Sequence, residues 1–238
     1  MKVVILAGGQ GTRLRGPGTA MPKALIPVCG KPIIERVMEI YASQGFNDFL
    51  VVGGYLCDHL TEWANTFRQT SKLGCTIDVV DTGPNTDTAS RLARVRDHIP
   101  DETFMLTWCD GLAQVDLSTA LQFHADHGCP ITLTAVHPQE RFGILDLEGR
   151  RVARFREKPL RTDLWVNGAF FIVQRDVLDG LGADGENWEK DVLEPLSAAG
   201  KVMAWQHHGL WMCMDTAKDR SAMEEALETG LFELEDAA

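Results

Sequence analysis

Short apolar runs alternate with amphipathic stretches through the first 137 residues. Val3–Ala7 is continuously apolar and bounded by glycines, the pattern of a strand buried on both faces. From Pro32 to Gln44 the apolar residues fall at Ile33, Ile34, Val37, Met38, Ile40 and Tyr41, which is helical spacing, and Gly45 supplies a C-cap. The alternation continues with strands expected over Phe49–Val52, Thr76–Val80, Phe104–Trp108 and Ile131–Val136. Helices are expected over Tyr55–Thr70, Ala89–His98 and Leu117–His127. This order predicts an α/β fold with a doubly wound, mostly parallel sheet. Such sheets bind ligands at the carboxyl ends of their strands. The glycine-rich and polar stretches follow strand ends here too: 8–13 after the first, 81–88 after the third, 109–111 after the fourth.

After His137 the pattern becomes β-rich. Strands are expected over Gly143–Leu147, Val152–Glu157, Ala169–Val173 and Val202–His207, and helices over Trp188–Ala199 and Lys218–Glu228. No linker and no internal repeat separates this half, so it reads as β-rich additions to the same sheet.

Composition narrows the function. A formal net charge of −11 argues against a nucleic-acid partner or an anionic lipid surface. It also makes local clusters of Arg and Lys informative, because a small anion would need one. The six cysteines contain no CxxC pair and no zinc spacing, and they read as reduced, mostly buried residues. The opening apolar run is too short for a signal peptide, and no run approaches bilayer length, so a cytoplasmic location and no membrane are expected.

The loop after the first strand, Gly8-Gly9-Gln10-Gly11-Thr12, lets backbone N–H groups approach an anion closely. A dinucleotide fingerprint counted from Gly9 would need glycine at position 14, where Leu14 stands, and the P-loop pattern is absent. A glycine loop alone is also an ordinary tight turn. Arg13 and Lys23 nearby shift the balance toward phosphate, one as a planar fork of donors and the other as a point charge. Asp110-Gly111 by itself is an ordinary turn, and Asp116 reads as the N-cap of the helix that follows. The pairs His124/His127 and His207/His208 read as structural rather than metal-binding.

LAGGQGTRL (6–14) followed by PKALIPVCGKPII (22–34) resembles the sugar-1-phosphate nucleotidyltransferases. Further segments resemble one branch, the glucose-1-phosphate cytidylyltransferases: NDFLVVGGY (47–55), VDTGPNTDTASRL (80–92), DGLAQVDL (110–117), RFGILDL (141–147), FREKP (155–159), VNGAFFIV (166–173) and MDTAKDR (214–220). They run collinearly over nearly the whole chain. The resemblance implies a Rossmann-like nucleotidyltransferase domain spanning 1–238, with a nucleotide-binding half (1–137) and a sugar-phosphate-binding half with a C-terminal helix (138–238). It also implies the reaction: an NTP, with CTP favoured, and a sugar 1-phosphate, with glucose 1-phosphate favoured, giving an NDP-sugar and pyrophosphate. UTP, dTTP, GTP and other sugar phosphates remain open, as does the other-class alternative of a catalytically silent relative that binds nucleotide or sugar phosphate as a regulatory module.

The resemblance also implies roles for particular residues. Arg13 and Lys23 are the expected catalytic cations. Leu6, Ala7, Gly8, Gly9, Gly11 and Thr12 are expected around the nucleotide phosphates, and Asp81, Thr82, Gly83, Thr86, Thr88 and Arg91 around its base. Gly143, Glu157, Lys158, Asn167 and Gly168 are expected on the sugar phosphate. Asp110 and Asp215 are expected to hold Mg²⁺, and a homo-oligomer is expected. The cytidylyl branch carries two glycines before the arginine where this chain has Ala89 and Ser90, which predicts added side chains beside the base or ribose. The stretch 15–21 also departs from the branch, although the Arg13-to-Lys23 spacing is kept.

Overall fold

The computed structural model describes residues 1–9, 11 and 21–232. In chain order the elements are β1 (Lys2–Leu6), the two-residue strands β2 (Pro27–Val28) and β3 (Lys31–Pro32), α1 (Ile33–Ala42), β4 (Asp48–Gly53), α2 (Cys57–Thr70), β5 (Thr76–Asp81) and α3 (Thr88–Val95). Then come β6 (Thr103–Trp108), β7 (Gly111–Ala113), α4 (Leu117–His127), β8 (Ile131–Val136), β9 (Ile144–Glu148), β10 (Arg151–Arg156) and β11 (Val166–Gln174). The last are α5 (Glu194–Ala198), β12 (Val202–Gln206), β13 (Trp211–Cys213) and α6 (Ala217–Glu228).

Seven strands form the central sheet in the order β12-β8-β11-β6-β1-β4-β5. Every neighbouring pair is parallel except the two made by β11, which runs antiparallel to both β6 and β8. Alternate residues of β1 enter opposite cores. Val3 and Ile5 pack with α1, α2, α4 and α6 on one face, and Val4 and Leu6 pack with α3 and Trp188 on the other. Both faces are therefore covered, which is why the strands read as continuous apolar runs. The chain leaves β1 for β4 and β5 on one side and returns to β6 on the other, so the switch point lies between the ends of β1 and β6.

The second half only partly adds to this sheet. β11 and β12 do, but β9 and β10 form a separate two-stranded sheet. The one long helix expected over Trp188–Ala199 is instead a π-turn, Trp188–Leu193, followed by the short α5, with Pro195 in the first turn of α5. A proline has no backbone N–H to donate and is tolerated in the first turn of a helix. The short antiparallel pair β7–β13 carries no periodicity and went unread in the sequence, although it brings the two halves together.

Candidate active site

Lys23, in a one-turn 3₁₀ helix, Lys23–Leu25, points its ammonium between two carboxylates. Nζ donates to Asp110 Oδ2 at 2.5 Å and to Asp215 Oδ1 at 2.8 Å. Asp110 stands at the end of β6, beside the switch point. Asp215 comes from the far end of the chain and is tied there twice. The β13–β7 register pairs Cys213 with Gly111, and Met214 N donates to Asp110 O at 2.9 Å. The capping box of α6 then fixes the turn, since Asp219 Oδ2 accepts from the N–H groups of Thr216 (2.8 Å) and Asp215 (3.1 Å). Burial opposes the charge on Lys23, but the two carboxylates outweigh it and hold its pKa above the ordinary lysine range. Among the described residues, Asp110, Cys213 and Asp215 are the one group of three possible metal ligands, their donor atoms all within 4.8 Å of one another. Burial and the charge of Asp110 push the Cys213 thiol up to about 12, so it stays neutral beside the carboxylates.

A cleft of about 310 Å³ opens over this centre. Leu6, Gly8, Gly9 and Gly11 line one wall, and Trp108, Cys109 and Asp110 line another. Thr86, Asp87 and Thr88, at the start of α3, close the third side. Arg13 and Thr12 lie outside the described residues. The cleft thus joins a glycine loop, a buried ammonium and a carboxylate pair, a set suited to phosphate groups and a divalent ion.

Arg91 has a different place from the one the sequence suggests. It is buried (5 % exposed) and borders the cleft, but its guanidinium is held by protein acceptors. NH1 donates to Gly53 O (2.9 Å), Thr82 Oγ1 (2.6 Å) and Gly83 O (2.8 Å), and NH2 donates to Gly8 O (3.3 Å). One side chain therefore clamps the loops that leave β1, β4 and β5. This explains two glycines: a Cβ at Gly8 would lie 2.3 Å from Arg91 Cζ, and one at Gly54 would lie 2.3 Å from its NH1.

The loop around residues 81–83 serves this clamp and does not line the cleft. Thr82 is buried and donates its hydroxyl to Gly53 O at 2.7 Å, and Asp81 accepts from Gly83 N at 2.8 Å. Ala7 is likewise buried, its N–H bonded to Val52 O. Thr86 and Thr88 do reach the cleft, but their hydroxyls meet Thr82 O and Trp188 N, respectively. Asp87, missed in the sequence, lines the cleft between them. Ala89 and Ser90 do not stand beside it. Ala89 is in the core below α3, and Ser90 Oγ accepts from Glu186 N at 3.0 Å, so both face the π-turn segment.

The sugar-side residues separate into groups. Lys158 lines a second cavity of about 440 Å³, with Arg141, Trp211, Cys213 and Lys218. Asp215 lines the first cavity and Cys213 the second, and Arg141 of the second lies 3.7 Å from Asp215 Oδ2. Glu157 pairs with Lys158 at 2.9 Å. A Cβ at Gly143 would lie 2.6 Å from the Phe155 ring and 3.2 Å from Glu157 Oε2. Asn167 and Gly168 do not line this cavity. Asn167 Oδ1 accepts from Ala169 N at 2.8 Å at an irregularity in the β11–β8 register. A Cβ at Gly168 would meet Val136 and the Thr134 carbonyl, and its own carbonyl accepts from Trp211 Nε1 at 2.9 Å.

The Nucleotidyl transferase family model matches residues 2–228. A glucose-1-phosphate cytidylyltransferase from Salmonella typhi is 36% identical over 249 residues, covering 97% of each chain. A probable glucose-1-phosphate cytidylyltransferase from Bacillus subtilis is 34% identical, covering 92% of this chain and 93% of its own. The crystal structure of HddC from Yersinia pseudotuberculosis superposes with a TM-score of 0.75 at 21% identity, covering 94% of this chain and 98% of that one.

Proposed function

Because the chain belongs to the nucleotidyl transferase family, we propose that its cleft joins CTP to glucose 1-phosphate, giving CDP-glucose and pyrophosphate. The observation that carries the reading is the seat of the Lys23 ammonium between Asp110 and Asp215, beside the glycine loop at the β1/β6 switch point. Identity of 36% to a cytidylyltransferase over 97% of the chain supports the choice of nucleotide and sugar.

In this reading the sugar phosphate oxygen attacks the α-phosphorus in line and pyrophosphate leaves. No covalent enzyme intermediate is needed, so positioning and charge cancellation do the catalysis. The N–H groups of Gly8, Gly9 and Gly11 face the triphosphate. Lys23 leaves its carboxylates for the phosphate oxygens at the reacting centre and offsets the charge that develops there. Arg13 holds the departing pyrophosphate. Lys158 and Arg141, in the adjoining cavity, receive the sugar phosphate, and the polar edge formed by Thr86, Asp87 and Thr88 meets the base.

The donor set at the centre, two carboxylates opening on a phosphate-sized cleft, fits Mg²⁺, which takes carboxylate, phosphate and water oxygens. Held by Asp110 and Asp215, it would supply the second positive charge that cancels repulsion between the two anionic substrates.

We read the compartment as the cytoplasm, on six free cysteines; among the described residues no helix is long and apolar enough to cross a membrane. A homo-oligomer is part of the reading, and one face of the β9–β10 hairpin, with Leu145, Leu147, Val152 and Phe155 exposed, is the apolar surface available to it. The test of the reaction is a panel of NTPs against several sugar 1-phosphates with pyrophosphate release as readout. CTP with glucose 1-phosphate should give the highest kcat/KM, and a different best pair would refute the specificity while leaving the reaction class.

A further inference from the structure

Cys213 lies at the metal-binding centre, yet the reaction gives it no task. It ends β13 opposite Gly111, the residue after Asp110, and stands two positions before Asp215. Its neighbour Met214 is fully buried in the core, whereas Cys213 and Asp215 are both half-buried. The alternation turns the thiol and the second carboxylate to the same side, toward Asp110. The Sγ atom and one oxygen of each carboxylate all lie within 4.8 Å of one another. Two donors at tetrahedral angles on one zinc-sized ion stand about 3.5 Å apart, given M–S near 2.3 Å and M–O near 2.1 Å. With Lys23 moved off the carboxylates, side-chain rotations that draw the three donors together by up to about 1.3 Å let all of them reach one ion.

We infer that Cys213 is a third protein ligand at this centre, so that the chain takes thiophilic divalent ions such as Co²⁺, Zn²⁺ or Cd²⁺ through one sulfur and two carboxylates. The inference rests on the reading that Asp110 and Asp215 hold the catalytic divalent ion. Mg²⁺ prefers oxygen donors and leaves the thiol protonated. A borderline or soft ion forms an S–metal bond in place of the S–H bond, and the proton goes to solvent. The ion stays divalent and no electron moves. The same fold thus holds one seat with two donor sets, chosen by the hardness of the ion.

The test uses the full chain with Co²⁺ alone, under argon, and reads the sulfur-to-cobalt charge-transfer band in the near ultraviolet. Mn²⁺ binding, followed by electron paramagnetic resonance, reports the carboxylate seat independently. Wild-type protein should develop the band, saturating at one ion per chain. Cys213→Ser should lose it yet still bind Mn²⁺, and Cys129→Ser should keep it. Cys213→Ala is the second variant if the serine protein fails to show a native circular dichroism spectrum. No band in a wild-type protein that binds Mn²⁺ overturns the role of Cys213 and leaves the carboxylate seat standing. A band that survives Cys213→Ser assigns it to another cysteine and overturns the inference. Failure to bind either ion removes the seat and the inference together.

Discussion

Lys23 and Asp110 are 87 residues apart in the chain, and their charged atoms are 2.5 Å apart in space. Asp215, 192 residues from Lys23, completes the contact at 2.8 Å. The ammonium thus stands where a cation is needed to keep two carboxylates together, and among the described residues it is the nearest positive charge to any phosphate entering between them. Lys23→Ala should lower kcat roughly 10²- to 10³-fold, the scale of losing one preorganised charge partner. Steady-state pyrophosphate release checks this, with circular dichroism to confirm folding. A variant of near wild-type kcat would remove Lys23 from the reaction.

Asp215→Asn should shift metal dependence before it shifts anything else. Losing even an outer partner of a metal ligand costs about 10- to 100-fold in affinity, and loss of a ligand should cost at least that. The Mg²⁺ concentration for half-maximal rate, measured at saturating substrates, should rise accordingly. An unchanged midpoint would mean that Asp215 positions Lys23 and holds no ion.

The parts of this centre differed in how clearly the sequence announced them. β1 was legible within one residue at each end because a strand buried on both faces is an unbroken apolar run between glycines. Asp110 by itself read as an ordinary turn after β6, and its role came from the family pattern. Asp215 came from the family pattern, because nothing local marks it; its position depends on the three-residue pair β7–β13 and on the Thr216–Asp219 cap. Arg91 was expected around the base because the family resemblance places it there. Its actual partners converge from the ends of three strands, and only the folded sheet brings those carbonyls together. The packing of Ala89 and Ser90 against Glu186 is likewise set only by the folded chain.

Arg91→Met should act through the fold first. It strips hydrogen bonds from the buried Gly53 carbonyl and Thr82 hydroxyl and from the Gly83 and Gly8 carbonyls. Gly53 O keeps the Thr82 N–H and hydroxyl as donors and Gly8 O keeps the Tyr55 N–H, so the cost is that of the lost charge-assisted hydrogen bonds, about 1.5–3 kcal/mol for the strongest, and a loss of about 3 kcal/mol is expected. For a chain of this size that is a drop in Tm of roughly 6–12 °C, with a raised KM for the nucleotide. Differential scanning calorimetry decides it, and a wild-type Tm would rule out the clamp.

Stability should fall below neutral pH through His124. Thr132 Oγ1 meets His124 Nδ1 at 2.8 Å and His127 Nε2 at 2.7 Å, while Cys129 N donates to His127 Nδ1 at 2.9 Å. That network assigns the proton of His127 to Nε2 and makes Thr132 the donor to His124. Burial first, and then the neighbouring His127, pushes His124 from 6.5 down to about 4. The fold holds the neutral ring, so unfolding takes up a proton between those two values. The contribution is full above pH 6.5 and is lost as pH falls toward 4. Urea midpoints at pH 7.5 and 5 should differ less in His124→Gln than in wild type; equal differences would show that His124 is not the titrating group.

The central claim is that a phosphate oxygen of the sugar phosphate forms the new bond to the nucleotide α-phosphorus within the Lys23–Asp110–Asp215 cleft. Glucose 1-phosphate carrying ¹⁸O on its phosphate, turned over with CTP and Mg²⁺ and read by mass spectrometry, tests it most directly. The account predicts CDP-glucose that retains the label and pyrophosphate that contains none, with Lys23→Ala forming little of either. Label in the pyrophosphate, or no CDP-sugar from a folded protein, would contradict it.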